Sequence, residues 1–247
     1  MIADSMARQG NWFFRWRSYV LLGFAPLALL VVMQPEPIET TFGQLADTLF
    51  ESACIALAFL GLAIRAVTVG YVPAGTSGRN TAKQVADTLN TKGLYSLTRN
   101  PLYLGNVVIY MAIACFLQNV WFATLMLLFL IIYLERIIAT EEKFLAGKFG
   151  NDYREWATEV PAFFPRLTGW RAPELTFSFR NVLRREYSGL FAIIAVLFVL
   201  DQSREFLAES KTVLDPNWLA ALAAGALAYV LLRWVKKRTR LLNVAGR

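Results

Sequence analysis

The chain has 247 residues, 56% of them hydrophobic and 14% aromatic, with a mean hydropathy of +0.43, a net charge of +7 and no histidine. This composition excludes an ordinary soluble globule and describes an integral membrane protein. The missing histidine removes the commonest general base and metal ligand, along with any Ser-His or Cys-His nucleophile pair. The basic excess lies between and beside apolar runs, which speaks for membrane orientation rather than nucleic-acid binding.

Arg8, Arg15 and Arg17 precede a first apolar run, Tyr19 to Met33. The pattern imitates a signal peptide, but Gln34-Pro35-Glu36-Pro37 follows it in place of a small-x-small cleavage site. It is therefore expected to be a short membrane helix with Trp12 and Trp16 at the interface. A second helix is expected from Phe42 to Val72, with Asp47, Glu51 and Ser52 near its start. Arg65, near its far end, is expected to snorkel to the interface. Cys54 and Cys115 lie inside apolar runs with no Cys-x-x-Cys spacing and read as core packing.

Leu102 to Leu117 and Trp121 to Ile138 are separated only by Gln118-Asn119-Val120, which predicts a tight antiparallel hairpin. After a polar stretch from Ala139 to Arg185 come apolar runs at Tyr187 to Leu200 and Trp218 to Trp234. The fifth run is short, so it either begins earlier, near Asn181, or spans by local thinning and tilt. The predicted fold is all-α and multi-pass, with six membrane helices. Nearly all of the 25 Lys and Arg residues fall on one side, so both termini are expected in the cytoplasm, in the inner membrane if the source is bacterial. The basic cluster Arg233, Lys236, Lys237, Arg238 and Arg240 would then face the anionic leaflet.

Gly70-Tyr71-Val72-Pro73-Ala74-Gly75-Thr76-Ser77 has the glycine spacing of a P-loop but places Thr76 where the lysine belongs, with no preceding strand, so it is not an NTP site. No Gly-x-Gly-x-x-Gly occurs, and a Rossmann domain is unsupported. The loop Gly75 to Thr81, with Arg79 and Lys83, reads equally as an anion grip at the membrane surface or as a solvated turn. Pro101 suits the first turn of a helix and so holds Arg99 and Asn100 at a helix mouth. The helix dipole there favours an anion. Two crossings later Glu135, Arg136, Glu141 and Glu142 return to the same side, so Arg99 and the Glu141-Glu142 pair are expected to meet. Lys143 to Pro165 alone would read as an amphipathic helix stopped by Gly150, followed by interfacial aromatics.

These two stretches resemble the membrane-embedded S-adenosylmethionine methyltransferases related to isoprenylcysteine carboxyl methyltransferase and the phospholipid methyltransferases. Gly93, Tyr95, Arg99, Pro101, Tyr103 and Gly105 match the first half of the family pattern. Glu141, Glu142, Leu145, Phe149, Gly150, Tyr153, Trp156, Val160, Pro161 and Pro165 match the second. Asn100 stands where the family has histidine, and cannot titrate. The resemblance covers residues 89–166 as a methyltransferase core, after an N-terminal segment 1–88 and before a C-terminal segment 167–247.

The resemblance implies a cytoplasmic-side pocket for S-adenosylmethionine, bound by Tyr95, Arg99, Asn100, Pro101, Tyr103, Leu104, Glu141, Glu142 and Tyr153. Arg99, Glu142 and Arg136 are the candidate catalytic residues, and Arg79, Lys83 and Arg136 the candidate acceptor-binding residues. Such a transfer needs alignment and water exclusion rather than a metal or a covalent nucleophile, so no metal is expected. The acceptor is expected to be a lipid or lipid-like molecule entering from the bilayer. Without histidine, O-methylation of an already anionic phosphate or carboxylate is the favoured form, with Glu135, Glu142 or a tyrosine as alternative bases. Two rival readings are an NADPH-dependent reductase of the sterol-reductase type, which shares a similar Asn-Pro-x-Tyr-x-Gly turn, and a non-enzymatic scaffold or transporter.

Overall fold

A computed structural model describes residues 2–17, 19–76, 86–207 and 214–247, the side chains of 2–8 excepted. The fold is all-α, with no strand among the described residues. In chain order the helices are α1 (Ile2–Trp16), α2 (Ala25–Val31), α3 (Pro37–Phe42), α4 (Gln44–Tyr71), α5 (Pro101–Phe116), α6 (Val120–Phe149), α7 (Asn151–Glu159), α8 (Phe179–Leu207) and α9 (Pro216–Arg238). Short 3-10 turns at Val20–Phe24 and Gly93–Ser96 precede α2 and α5.

The first apolar run is not one continuous helix. Pro26 sits in the first turn of α2, where its missing N–H costs nothing, so the 3-10 turn stops and α2 starts anew. The segment 20–31 meets residues 9–16 at a bend of 85°. The other expected helices form with shifted ends. α5 and α6 form the hairpin, with Asn119 capping α6 by accepting from the Phe122 N–H at 2.8 Å. α6 runs eleven residues past the predicted Ile138 because nothing between Ala139 and Phe149 breaks a helix. It stops at Gly150, whose φ of +57° admits no side chain without strain. α8 begins ahead of its apolar run, at Phe179, close to the earlier start expected near Asn181.

Three helices, α4, α6 and α9, are each long and apolar enough to cross a bilayer, and the bent N-terminal pair makes a fourth if counted as one span. The expected six crossings would further require α5, apolar but only 16 residues long, and α8, which carries charges at both ends.

α4 packs along α5, α1 along α6, and α8 against both α9 and α4. Lipid-facing apolar surface gives no net drive for helix association, so close packing must hold these pairs. α4 and α5 cross at Gly61 and Gly105, where a Cβ on either would come within 2.7 Å of the other's carbonyl oxygen. Fully buried Ala58, Ala112, Phe116, Leu130 and Ile137 fill the layers around that crossing. Large apolar side chains such as Leu60, Leu128 and Leu231 are exposed on the outer faces, as lipid contact requires.

Candidate functional site

α4 ends, α5 begins and α6 overruns at the same end of the bundle, and the charges that the sequence places on either side of the hairpin converge there. Gly93 enters the 3-10 turn with φ +61°, and the buried Ser96 hydroxyl closes it by donating to the Gly93 carbonyl at 2.7 Å. The next residues are laced to the segment after α7. Arg99 N–H donates to the Pro161 carbonyl at 2.9 Å, the Thr98 hydroxyl to the Phe163 carbonyl at 2.8 Å, and the Asn100 amide to the Ala162 carbonyl at 2.9 Å. Arg166 returns the bond, its N–H donating to the Leu97 carbonyl at 3.0 Å. The non-titrating Asn100 is thus employed as a backbone tether.

The Arg99 guanidinium lies at the centre. Its Nε and Nη2 reach Glu142 Oε1 at 2.9 and 2.8 Å, while Nη1 donates to the Ala157 and Val160 carbonyls at 2.7 and 2.8 Å. Only 15% of its side chain is exposed, so this is a charge-assisted clamp joining α5, α6 and the end of α7. One position earlier on α6, Glu141 turns to α5 and accepts from the Tyr103 hydroxyl at 2.9 Å. The adjacent glutamates therefore serve different neighbours.

Pro101 is buried at the start of α5, and Leu104 N–H donates to the Asn100 carbonyl at 3.0 Å, the first full helical bond. Tyr153 packs edge-on to Trp156 at 5.7 Å. Its buried hydroxyl has no partner at bonding distance among the described residues. Burial, and then the neighbouring Glu142 carboxylate, push the Tyr153 pKa up. Arg136 is not brought to this cluster. It faces α1, donating to Gln9 at 3.0 Å and to Glu135 at 3.1 Å. Arg79 and Lys83 lie outside the described residues.

Between α4 and the 3-10 turn is a cavity of about 260 Å³, with Thr68, Tyr71, Asn90, Lys92, Tyr95 and Glu174 among its walls; Arg99, Tyr103, Glu141, Glu142 and Tyr153 do not line it. Tyr95 is the sequence-predicted residue that lines it. Burial drives the Tyr95 phenol up to about 12, Asn90 being its hydrogen-bonding neighbour. At the wall Lys92 and Glu174 pair at 2.7 Å, which holds the exposed Glu174 carboxyl below its ordinary value.

Sequence reasoning missed what lies behind this cavity. Arg65 does not snorkel. Its Nε and Nη2 form a two-pronged pair with Glu186 of α8 at 2.8 and 3.0 Å, and Nη1 donates to Asn106 of α5 at 2.7 Å. Gly105 makes the path, since a Cβ there would meet Arg65 Cγ at 2.6 Å. An arginine inside α4 and a glutamate inside α8 were each legible, but their pairing depends on how the helices pack.

At the far end of the bundle Glu36, Asp47 and Glu51 bring their carboxylates within 4.8 Å of one another. Arg204 pairs with Glu36 and, at 3.3 Å, with Glu51, and the Gln118 amide donates to Asp47. The positive charge that such a group needs is thus supplied by the chain itself.

The geometry is that of an α-helical membrane protein in which two sequence motifs, one on each side of a helical hairpin, close into a single charged cluster beside a cavity. Residues 53–152 match the phospholipid methyltransferase family, which bears out the resemblance read from the motifs and supports a membrane methyltransferase. Among curated proteins the chain is similar to cobalt-zinc-cadmium resistance protein CzcN of Cupriavidus metallidurans, 32% identical over 117 residues that make up 47% of this chain and 51% of that protein. It is also similar to nickel-cobalt-cadmium resistance protein NccN of Alcaligenes xylosoxydans xylosoxydans, 28% identical over 133 residues, 54% of this chain and 60% of that protein. The chain thus spans little more than half the length of these relatives. No solved structure matches.

Proposed function

We propose that the protein transfers a methyl group from S-adenosylmethionine to a lipid or lipid-like acceptor drawn from the bilayer. The observation that carries this reading is the meeting of Arg99 with Glu142 and of Tyr103 with Glu141 across the hairpin, beside the cavity. The two acids and Tyr153, with the cavity that Tyr95 lines at the same end of the bundle, offer the acidic and hydroxyl groups that suit a ligand carrying both cationic and polar groups. When bound, the cofactor supplies an electrophilic methyl on a sulfonium, and the chain's task is to align and to exclude water.

In this reading Glu141 and Glu142 face the cationic end of the cofactor, and Tyr153 and Tyr95 supply hydroxyl contacts. Arg99, whose guanidinium is already bonded on three sides, holds Glu142 in place. Tyr103 does the same for Glu141. Pro101, Leu104 and Asn100 shape the turn. Arg79 and Lys83 are proposed to attract an anionic acceptor methylated on oxygen, Arg136 being held on the α1 side by Gln9 and Glu135. The clustered end is proposed to face the cytoplasm, because Lys and Arg concentrate there.

Membranes incubated with methyl-labelled S-adenosylmethionine should yield a labelled lipid identifiable by mass spectrometry, and Glu142→Gln should abolish it at normal expression. Folded, purified protein that binds no S-adenosylmethionine in calorimetry would end this reading. An absorbance change with NADPH would favour the reductase instead. The metal-resistance names of the relatives suggest a second reading, in which the activity serves metal tolerance. Host growth in cobalt or zinc with wild-type protein, set against Glu142→Gln, tests that separately.

A further inference from the structure

α4 ends in a way that its own sequence cannot complete. The Val69 carbonyl would bond the N–H four residues on, but that residue is Pro73, which has none. The Gly70 carbonyl would bond Ala74 N–H, but Ala74 donates to the Gly246 carbonyl at 2.8 Å. Both orphan acceptors are taken up by residues beyond the family-matched segment. The buried Asn181 amide on α8 donates to the Val69 carbonyl at 2.7 Å. Gly70 receives the Ser178 N–H at 2.9 Å and Arg247 Nη1 at 2.7 Å, and Arg247 Nη2 also reaches the Thr176 carbonyl. The ring of Phe177 lies over Gly70, where a Cβ would come within 2.2 Å, and meets Tyr71 edge-on at 5.2 Å.

These anchor points alternate with the cavity wall. Thr68, Tyr71, Val72 and Pro73 line the cavity, and Val69, Gly70 and Ala74 between and beside them are the bonded residues. On the facing side Pro173, Glu174 and Leu175 line it, and Thr176 is bonded. A cationic guanidinium at a helix C-terminus also meets the negative end of the dipole.

We propose that Asn181 and Arg247 are positioning residues of the cavity: by capping the last carbonyls of α4 from outside, they hold its wall against Asn90 to Tyr95 and set the affinity of whatever binds there. They touch no reacting atom in this account. Naming S-adenosylmethionine as the probe rests on the function proposed above, so the test carries a readout independent of it.

The full-length protein, solubilised or in nanodiscs, is compared with Asn181→Ala, Arg247→Ala and Arg247→Lys, each with and without Thr91→Cys as a cavity reporter toward a charged thiol reagent. Losing either cap should weaken S-adenosylmethionine binding about tenfold and speed Thr91→Cys labelling by a similar factor, the scale of one hydrogen bond. Arg247→Lys, which keeps a donor and the charge, should recover part of both. Affinity and labelling equal to wild type, with only the melting temperature lowered, would make the caps merely structural and overturn the proposal. If wild-type protein binds no S-adenosylmethionine yet labelling accelerates in the alanine variants, the positioning role stands and the cofactor is wrong. Unchanged labelling defeats the positioning role whatever the cofactor.

Discussion

The two ends of the bundle each gather buried charge, and they do so differently. At the far end Arg204 satisfies Glu36 and Glu51, Gln118 satisfies Asp47, and the cluster ties α3, α4 and α8 together. At the basic end the Arg99 clamp is equally well bonded, but the turn leading into it lines a cavity at Tyr95. Buried charge alone is therefore a poor guide to a site. What separates the two is space: a cavity lies at the basic end.

The sharpest way to break this contrast is to cut both clusters at their arginines. Arg99→Ala and Arg204→Ala should each cost about 3 kcal/mol in denaturant unfolding, because each leaves glutamate behind in a buried setting. Only Arg99→Ala should abolish methyl transfer in the protein that remains folded. Equal loss of activity in both would erase the distinction between a working end and a holding end. Next in size is Gly105→Ala, whose Cβ collides with Gly61 and Arg65 and should destabilise by about 1–3 kcal/mol, read as a lower melting temperature.

Tyr153→Phe should behave oppositely in stability and function. Removing a buried hydroxyl whose nearest polar neighbour, Glu142, is already held by Arg99 should change stability by no more than about 1 kcal/mol, while calorimetry shows weaker S-adenosylmethionine binding. The smallest effect concerns alkali. Burial raises the Tyr95 pKa to about 12, so its contribution to stability is complete below its unfolded value near 10 and is lost as pH rises through about 12. Alkaline unfolding followed by circular dichroism should accordingly be shallower in Tyr95→Phe, with no difference at neutral pH.

Helix positions were largely legible because apolar runs, the Pro101 start and the Gly150 stop act locally. The Arg99 and Glu142 meeting was legible as well, since a hairpin must return its ends to one side. The bend between residues 9–16 and 20–31 was not read, because no proline or glycine marks residues 17–19. Arg65 was misjudged for a different reason: whether an arginine near a helix end goes to water or to a partner depends on the neighbouring helix, here on a glycine that lets it through to Glu186. A pocket with Tyr95 was expected, but its other walls escaped prediction because they come from α4, the loop at 88–95 and residues 173–175, which no spacing relates.

α6 carries one last implication. It is a single 30-residue rod, about 45 Å long at 1.5 Å per residue, against a hydrocarbon core of about 30 Å. With no break before Gly150, its glutamates ride on the same stiff lever that feels the thickness of the bilayer. Any tilt imposed by thinner or thicker lipid swings Glu141 and Glu142 against the fixed turn at Arg99. Methyl transfer should accordingly vary with acyl-chain length when the protein is reconstituted in bilayers of different thickness.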